Sequence, residues 1–441
     1  MATISPFKGI LYQTNTEDIN KLVAPPYDVV NSSERDALVS GSAHNIFHLE
    51  LPKCDHITAC KDRYEHAHKL FRNWLKNGIL AQDEKEAVYP YEISFSINGE
   101  PHVRHGFIAR LGIEPWEKRI ILPHEQTFDK VTEDRMKLLA ATHAQFSQIF
   151  AIYRNNTKVI DALRLMENCK EWLFSATDSM GNRHTLYRLK DEHALAELIQ
   201  AFQGMPVYIA DGHHRYTTAL RYWQAMQQSG AATRDTGFIA TYLVNADDPG
   251  LIVLPTHRII TLRDQAEIKT FLTALRKDMS DLFEISSVLL PQNASEAELA
   301  HLLEKHLFTA EEMPAFGPIF GMVAANTGRM ELWRLKKDSP GHARLQKLPA
   351  PLAGLDVVAF NEIILEWCKK HLQGIDTKQA VSYTADAAQT ILNLRPNQLL
   401  CCLRPTSVQD VLNVADAGLT MPHKATFFYP KILTGIVINQ L

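Results

Sequence analysis

The chain has 441 residues, of which 46% are hydrophobic and 22% are charged, and its net charge at pH 7 is −4. This is ordinary globular composition, and the length suggests two or three domains. The charge gives no indication of a nucleic-acid or anionic-membrane partner. Because the sequence shows neither an apolar run of about 18 residues nor a secretory signal pattern, we expect a cytoplasmic protein.

Hydrophobic periodicity and turn residues predict strands and helices along the whole chain. The predicted strands are 4–11 (interrupted by a turn), 88–97, 103–112, 149–153, 185–189, 207–210, 237–244, 252–260, 319–324, 330–334, 380–383, 399–403 and 427–438. The predicted helices are 31–40, 62–78, 132–144, 191–202, 213–228, 266–278, 296–306, 358–371, 384–392 and 408–417. Asn98-Gly99, between two of the strands, is the strongest hairpin signal.

The mixture of elements favours the α+β class, with mixed sheets and packed helices. We expect three segments: 1–160 with the PPYD and PHEQT motifs, 161–262 with ADGHHR, and 263–441 with MPHKAT. The six cysteines form no CxxC pair, which predicts free thiols. Cys401 and Cys402 are adjacent in a predicted strand, so their side chains should point to opposite faces.

The most informative segment is 207–216, VYIADGHHRY, where a predicted strand leads directly into a predicted helix. A helix N-terminus presents unpaired N–H groups and a positive dipole end, which favour an anion. Gly212 permits close backbone approach, and the fork of donors on Arg215 suits phosphate or carboxylate. Asp211 could cap the helix or ligate a divalent cation.

Four further polar clusters lie at strand ends or in tight turns, where rigid scaffolds usually hold active residues. They are PPYD at 25–28, PHEQT at 123–127, PTHR at 255–258, and MPHKAT at 421–426 followed by FFYPK. We expect the clusters to converge on one anion site. The predicted catalytic residues are Asp28, Glu125, Asp211 and His213, with Asp211 also as the metal ligand. The predicted nucleotide- or phosphate-binding residues are Gly212, His214, Arg215, His257, Arg258, His423, Lys424 and Lys431.

The residues leave three functional classes open. One is a phosphoryl-transfer enzyme that uses a nucleotide (ATP or ADP) and Mg²⁺. A second is a non-catalytic sensor of a nucleotide or phosphometabolite. The third is a metal-dependent hydrolase or lyase that uses His124, His213, His214 and Glu125, although adjacent histidines are about 100° apart on a helix and do not easily face one ion. Walker A, Rossmann, nucleophile-elbow and H-E-x-x-H motifs are absent.

In this order, PFKGILY, APPYDVV, PHEQT, ADGHHRY, LPTHR and MPHKATFFYPK resemble the uncharacterised prokaryotic family catalogued as domain of unknown function 1015, over residues 6–441. Locally, about 191–225 is similar to the ParB/sulfiredoxin-like fold, whose free serine kinases carry the same D-G-H-H-R. That resemblance implies a nucleotide phosphate or phosphorylated substrate at 211–215, and an upstream carboxylate as general base, for which Asp28 and Glu125 are both candidates. It implies a link to serine metabolism. A homo-oligomer is left open.

Overall fold

The computed structural model describes residues 2–13, 17–53, 62–127, 129–154, 157–308, 317–371 and 380–441. The chain forms two compact units, the first made of Met1–Ile252 and Pro430–Leu441 and the second of Val253–Tyr429. Each unit combines helices with a sheet, which confirms the α+β class. The three-segment division stays a prediction.

A nine-stranded mixed sheet lies at the centre of the first unit. Along the sheet, the strands are Ile121–Leu122, Val207–Asp211, Ile149–Tyr153, Phe238–Asn245, Glu100–Gly112, Tyr89–Ile97, Arg183–Arg188 and Glu171–Thr177, with Ile4–Ser5 paired to Glu100–Gly112 off this path. Val207–Asp211 is parallel to Ile121–Leu122. The PHEQT loop and the DGHHR turn therefore leave the sheet at the same edge.

The remaining elements of the first unit pack around this sheet. Its helices are Ile19–Leu22, Ser32–Gly41, Phe47–Glu50, Asp62–Lys76, Asp129–Thr142, Thr157–Cys169, Glu192–Phe202 and His213–Ser229, with short turns of 3-10 helix at Trp116–Lys118 and Asp235–Gly237. Two small sheets pair Ile10–Tyr12 with Leu80–Gln82, and Ala144–Gln145 with Asn439–Gln440. The Asn98-Gly99 hairpin is confirmed, since both residues have positive φ, at 52° and 82°, as its tight turn requires.

The second unit is built on a six-stranded antiparallel sheet. Its strand order is Phe283–Leu289, Arg329–Leu335, Ile319–Ala324, Gln398–Cys402, His257–Thr261 and Val381–Thr384. Its helices are Gln265–Met279, Glu296–Leu303, Pro340–Leu345, Ala350–Ala353, Asp356–Ala359, Glu366–His371, Ala387–Leu392 and Val408–Asp416, with π-helical turns at Glu304–Phe308 and Phe360–Leu365. Cys401 and Cys402 join different apolar clusters, which confirms that they face opposite sides.

Two predicted strands were too long. The strand predicted at 252–260 is divided into Ile252–Leu254 and His257–Thr261, with Pro255 at the break, because proline has no N–H to donate to a ladder. The strand predicted at 427–438 keeps only Phe427–Tyr429 before Pro430. Helix Thr157–Cys169 and strand Glu171–Thr177 were not predicted. Cys54 and Cys60 lie outside the described residues, and the other four cysteines are free.

Candidate anion-binding site

Gly212 forms the turn between the motif strand (Val207–Asp211) and the motif helix (His213–Ser229). It has a φ of +89°, in the left-handed region, and it occupies the N-cap position of the motif helix. A Cβ at this position would lie 2.9 Å from Arg215 Nε and 3.0 Å from Ile149 Cγ2. Both the backbone angle and the contacts therefore select glycine. Asp211 does not cap the helix, because it is the last residue of the motif strand.

Arg215 is a buried cation with unused hydrogen-bond donors. The residue is 8% exposed, and its Nη1 donates to the carbonyl oxygen of Gln148. Its Nε and Nη2 have no hydrogen-bond partner among the described residues, and Asp211 Oδ2 lies 3.9 Å from Nη2. Burial by itself would lower the pKa of Arg215, but Asp211 and Asp28 outweigh it and raise the pKa. A charged guanidinium in this setting favours an anionic acceptor.

Lys431 brings a second cation to the turn from a position 220 residues away along the chain. Its Nζ lies 3.2 Å from Asp211 Oδ2, while Asp211 Oδ1 accepts the N–H of Gly212 at 2.9 Å. Burial by itself would raise the pKa of Asp211, but Lys431 and Arg215 outweigh it and hold the pKa below its ordinary value. Asp211 is therefore ionised at neutral pH, and two cations share it.

His213 is a neutral histidine that faces Glu125. Burial, followed by the effect of neighbouring His124, lowers the pKa of His213 to about 3. Its Nε2 accepts the backbone N–H of His124 at 3.3 Å, which assigns the proton to Nδ1, 3.9 Å from Glu125 Oε2. The His124 ring is also fixed, because its Nδ1 lies 2.8 Å from the carbonyl oxygen of Ile209. Because His213 is neutral near pH 7 and 3.9 Å is too long for a hydrogen bond, its contact with Glu125 is neither an ion pair nor a hydrogen bond.

The PPYD motif reaches the site through Tyr27, which was not among the predicted residues. The Tyr27 ring centroid lies 4.7 Å from Arg135 Cζ and 6.0 Å from Arg215 Cζ. Asp28 is exposed, and its charge contributes to the raised pKa of Arg215. Arg135 donates to the carbonyl oxygen of Glu50 at 2.7 Å. The rigid prolines before Tyr27 were a signal for this position, but its aromatic contact with arginines was not visible in the sequence.

The PTHR and MPHKAT motifs meet each other within the second unit. Arg258 is buried, and it donates to the carbonyl oxygens of Thr256 and, at 3.1 Å, of Lys424. Burial lowers the pKa of Arg258 to about 10. Burial, followed by the effect of Arg258, lowers the pKa of His257 to about 3, and His257 Nδ1 accepts the N–H of Leu403 at 3.1 Å. The nucleotide-binding roles of these residues stay predictions.

Three further predicted roles concern single residues. His423 is exposed in the MPHKAT loop of the second unit, and its role in binding stays a prediction. His214 is half-buried in the first turn of the motif helix, where its carbonyl oxygen accepts the Thr218 hydroxyl at 2.8 Å. A metal ion at Asp211 would compete with Lys431 for the same carboxylate. Within the described ranges, three or more His, Cys, Asp or Glu side chains nowhere group as a metal site would require.

None of the helices in the described part of the chain has the length and apolar character needed to cross a membrane. The fold and the turn define an α+β protein with a buried cationic site between a strand and a helix. The chain belongs to the family described as "Protein of unknown function (DUF1015)", whose model matches residues 4–358. The comparison with curated proteins gave no match.

Three solved structures are similar to parts of this chain. A conserved hypothetical protein from Pyrococcus furiosus has 11% identity and a TM-score of 0.31, with 71% of this chain and 90% of that chain covered. SbnI with a C-terminal truncation, from Staphylococcus aureus, has 11% identity and a TM-score of 0.35, with 74% and 85% covered. A free serine kinase in complex with AMP has 12% identity and a TM-score of 0.32, with 71% and 86% covered.

Proposed function

We propose that this protein transfers a phosphoryl group between a nucleotide and a small metabolite, and that the phosphate binds at the turn of residues 211–215. The observation that carries the proposal is the buried guanidinium of Arg215, whose Nε and Nη2 have no hydrogen-bond partner among the described residues. A guanidinium fork matches the oxygens of phosphate in geometry and in charge. The N-terminus of the motif helix adds its positive dipole end at the same turn.

Lys431 and Asp211 complete the binding surface in this proposal. Two cations, Arg215 and Lys431, share the carboxylate of Asp211, at 3.9 and 3.2 Å. Asp211 holds the two cations beside each other before any ligand arrives. Such preorganised positive charge is the main requirement for stabilising a phosphoryl-transfer transition state.

Glu125 is the proposed proton acceptor. Its side chain is 28% exposed, so it is accessible to a substrate hydroxyl, and Oε2 lies 3.9 Å from the Nδ1 of neutral His213. In the transfer, the substrate hydroxyl oxygen forms a bond to phosphorus and the bond from phosphorus to the leaving oxygen of the nucleotide breaks. The hydroxyl proton goes to Glu125. Asp28 is the second candidate base, because its charge acts on Arg215 from the PPYD elbow.

When Mg²⁺ accompanies a nucleotide, it neutralises charge on the phosphate oxygens. The residues of the turn fit such an ion poorly, because Asp211 Oδ2 is paired with Lys431 and Oδ1 accepts the Gly212 N–H. We therefore assign Asp211 to Lys431 and Arg215 rather than to a metal ion. An EDTA arm in the assay tests the predicted Mg²⁺.

The binding test is calorimetry with ADP and ATP on wild type and Arg215→Ala. We expect the substitution to weaken binding by about 1.5–3 kcal/mol, the scale of hydrogen bonds to charged groups. The matched control is Arg221→Ala, since Arg221 is an exposed arginine on the same helix, paired with Asp129. Arg215→Lys, which keeps the charge without the fork, should bind with intermediate affinity. Unchanged binding in folded Arg215→Ala would refute the phosphate site.

The turnover test uses ATP or ADP with serine or phosphoserine, the metabolites that the D-G-H-H-R resemblance selects, in Mg²⁺ and in EDTA. Glu125→Gln should abolish transfer and leave nucleotide affinity within about threefold, because the carboxylate acts on the proton rather than on the phosphate. Asp28→Asn is the comparison for the alternative base. Nucleotide binding without turnover on any small hydroxyl acceptor would favour the sensor interpretation instead.

A further inference from the structure

A second cationic site lies beside the PPYD elbow of the first unit, in a cavity of about 260 Å³. We call it the basic cavity, and the lining residues that matter here are Tyr27, Arg35, Lys53, Arg63, Tyr64 and Arg135. The four cations come from four separate segments: three helices and the loop after Phe47–Glu50. The volume falls just below the range of roughly 300–1,000 Å³ that holds drug-sized ligands, so the cavity suits a small metabolite.

Two carboxylates beside the basic cavity, Asp36 and Asp134, each contact two of its cations. Asp36 accepts from both Arg35, at 3.0 Å, and Lys53, at 2.7 Å. Asp134 in the same way contacts the other two cavity arginines, at 2.5 and 2.9 Å. Each of these carboxylates is therefore shared by two cations, and the Asp134 carboxylate also accepts the hydroxyl of Tyr64.

Arg135 connects the basic cavity with the Arg215 site. It lines the basic cavity and also a smaller one of about 50 Å³, which Arg215 and Glu50 line as well. Glu50 Oε1 lies 3.5 Å from Arg135 Nη1, so Arg135 contacts Glu50 as well as Asp134. The Tyr27 ring lies against both guanidiniums.

A purely stabilising role does not account for this arrangement. The side chains of Lys53 and Arg63 are 42% and 32% exposed, and ion pairs with that exposure add little to stability. Four cations around one concave space also repel one another. An anion in the cavity would reverse that repulsion and would accept from several guanidinium and ammonium donors at once.

We propose that the basic cavity binds a small anionic metabolite through its carboxylate or phosphate group, separately from the phosphate held at Arg215. The assignment of this small metabolite as the second reactant of the phosphoryl transfer rests on the proposed function. The binding of an anion in the cavity does not depend on it. The carboxylate or phosphate would lie among Arg35, Lys53 and Arg63, and the rest of the molecule would extend towards Tyr27 and Arg135.

The test is calorimetry with two probes, inorganic phosphate and malonate, on the full chain. Both titrations are run on wild type and on Arg215→Ala, which removes the other anion site. In the Arg215→Ala background, Arg63→Gln should weaken probe binding at least tenfold, and Lys53→Met should weaken it about threefold. The matched control is Arg72→Gln, because Arg72 is exposed on the same helix as Arg63 and does not line the cavity. This control should leave the affinity unchanged.

The outcomes separate this proposal from the preceding one. In the Arg215→Ala background, binding of only one probe identifies the anionic group and supports the cavity, whatever the result with ADP. Arg63→Gln and Lys53→Met with wild-type probe affinity would overturn it, as would loss of all probe binding in Arg215→Ala alone. Equal losses of ADP and probe affinity in Arg63→Gln would also overturn it, because the cavity would then belong to the nucleotide site. The Lys53 side chain is 42% exposed, so Lys53→Met should fold. This variant therefore still tests the proposal if Arg63→Gln does not fold.

Discussion

Alanine at Gly212 provides a direct test of how the turn holds Arg215. Gly212 and Gly230 flank the motif helix, and both have positive φ, at 89° and 71°. They differ in their surroundings. A Cβ at Gly212 would lie 2.9 Å from Arg215 Nε and 3.0 Å from Ile149 Cγ2, whereas one at Gly230 would have nothing within 4 Å. Gly230→Ala is therefore the control for the backbone penalty alone.

The expected magnitudes follow from this difference. Left-handed backbone costs an alanine about 1–2 kcal/mol, and both variants pay it. Gly212→Ala must also displace either Arg215 or Ile149, and overpacking of this kind adds about 1–3 kcal/mol. We therefore expect a loss of about 2–5 kcal/mol for Gly212→Ala and about 1–2 kcal/mol for Gly230→Ala. Because the displaced group includes the guanidinium, only Gly212→Ala should also weaken ADP binding, by about tenfold.

Hydrogen–deuterium exchange measures the local effect, since the chain has two units and a global unfolding curve need not be two-state. Peptides that cover 207–229 should exchange faster in Gly212→Ala than in Gly230→Ala, and calorimetry gives the two ADP affinities. Equal exchange in the two variants, together with wild-type ADP affinity in Gly212→Ala, would refute the reasoning that links the glycine to Arg215.

Three further predictions concern charge and redox state. Lys431→Met should destabilise the turn by about 1–3 kcal/mol at pH 7, measured as the loss of native-state hydrogen-exchange protection in peptides that cover 207–229. Because the pKa of Asp211 is lower in the folded protein than in the unfolded chain, the stability that the Lys431 pair contributes is present above the unfolded pKa of about 4 and is lost as the pH falls through the folded pKa. An equal difference in stability between wild type and Lys431→Met at pH 7 and in acid would contradict this. His213, with a pKa of about 3, should stay neutral from pH 8 to 5. ¹⁵N-histidine NMR spectra, with the His213 signal assigned by its absence in His213→Gln, measure this, and titration of that signal near pH 6.5 would contradict the burial of the ring. Thiol counting on denatured, unreduced protein should give six, and a value of four or fewer would indicate a disulfide.

Short-range patterns in the sequence were enough to predict the local elements of the site. The VYIA run, the turn at Asp211-Gly212 and the amphipathic segment after it predicted a strand, a turn and a helix, and the structure has the strand at Val207–Asp211, one residue longer than predicted, and the helix at His213–Ser229. The Asn98-Gly99 hairpin was predicted in the same way. These elements depend on φ preferences and on side-chain periodicity over a few residues, which a single sequence displays directly.

The contacts between groups that are distant in the sequence depend on the folded chain. Lys431 lies 3.2 Å from Asp211, and the Tyr27 ring faces Arg215, although no spacing in the sequence links these positions. The burial that makes Arg215 a cation with unused donors also depends on the packing around it. A long-range ion pair forms where the folded chain brings opposite charges together and excludes water. The sequence could therefore list the basic and acidic residues of the site, but only the packed sheet determined which of them share it.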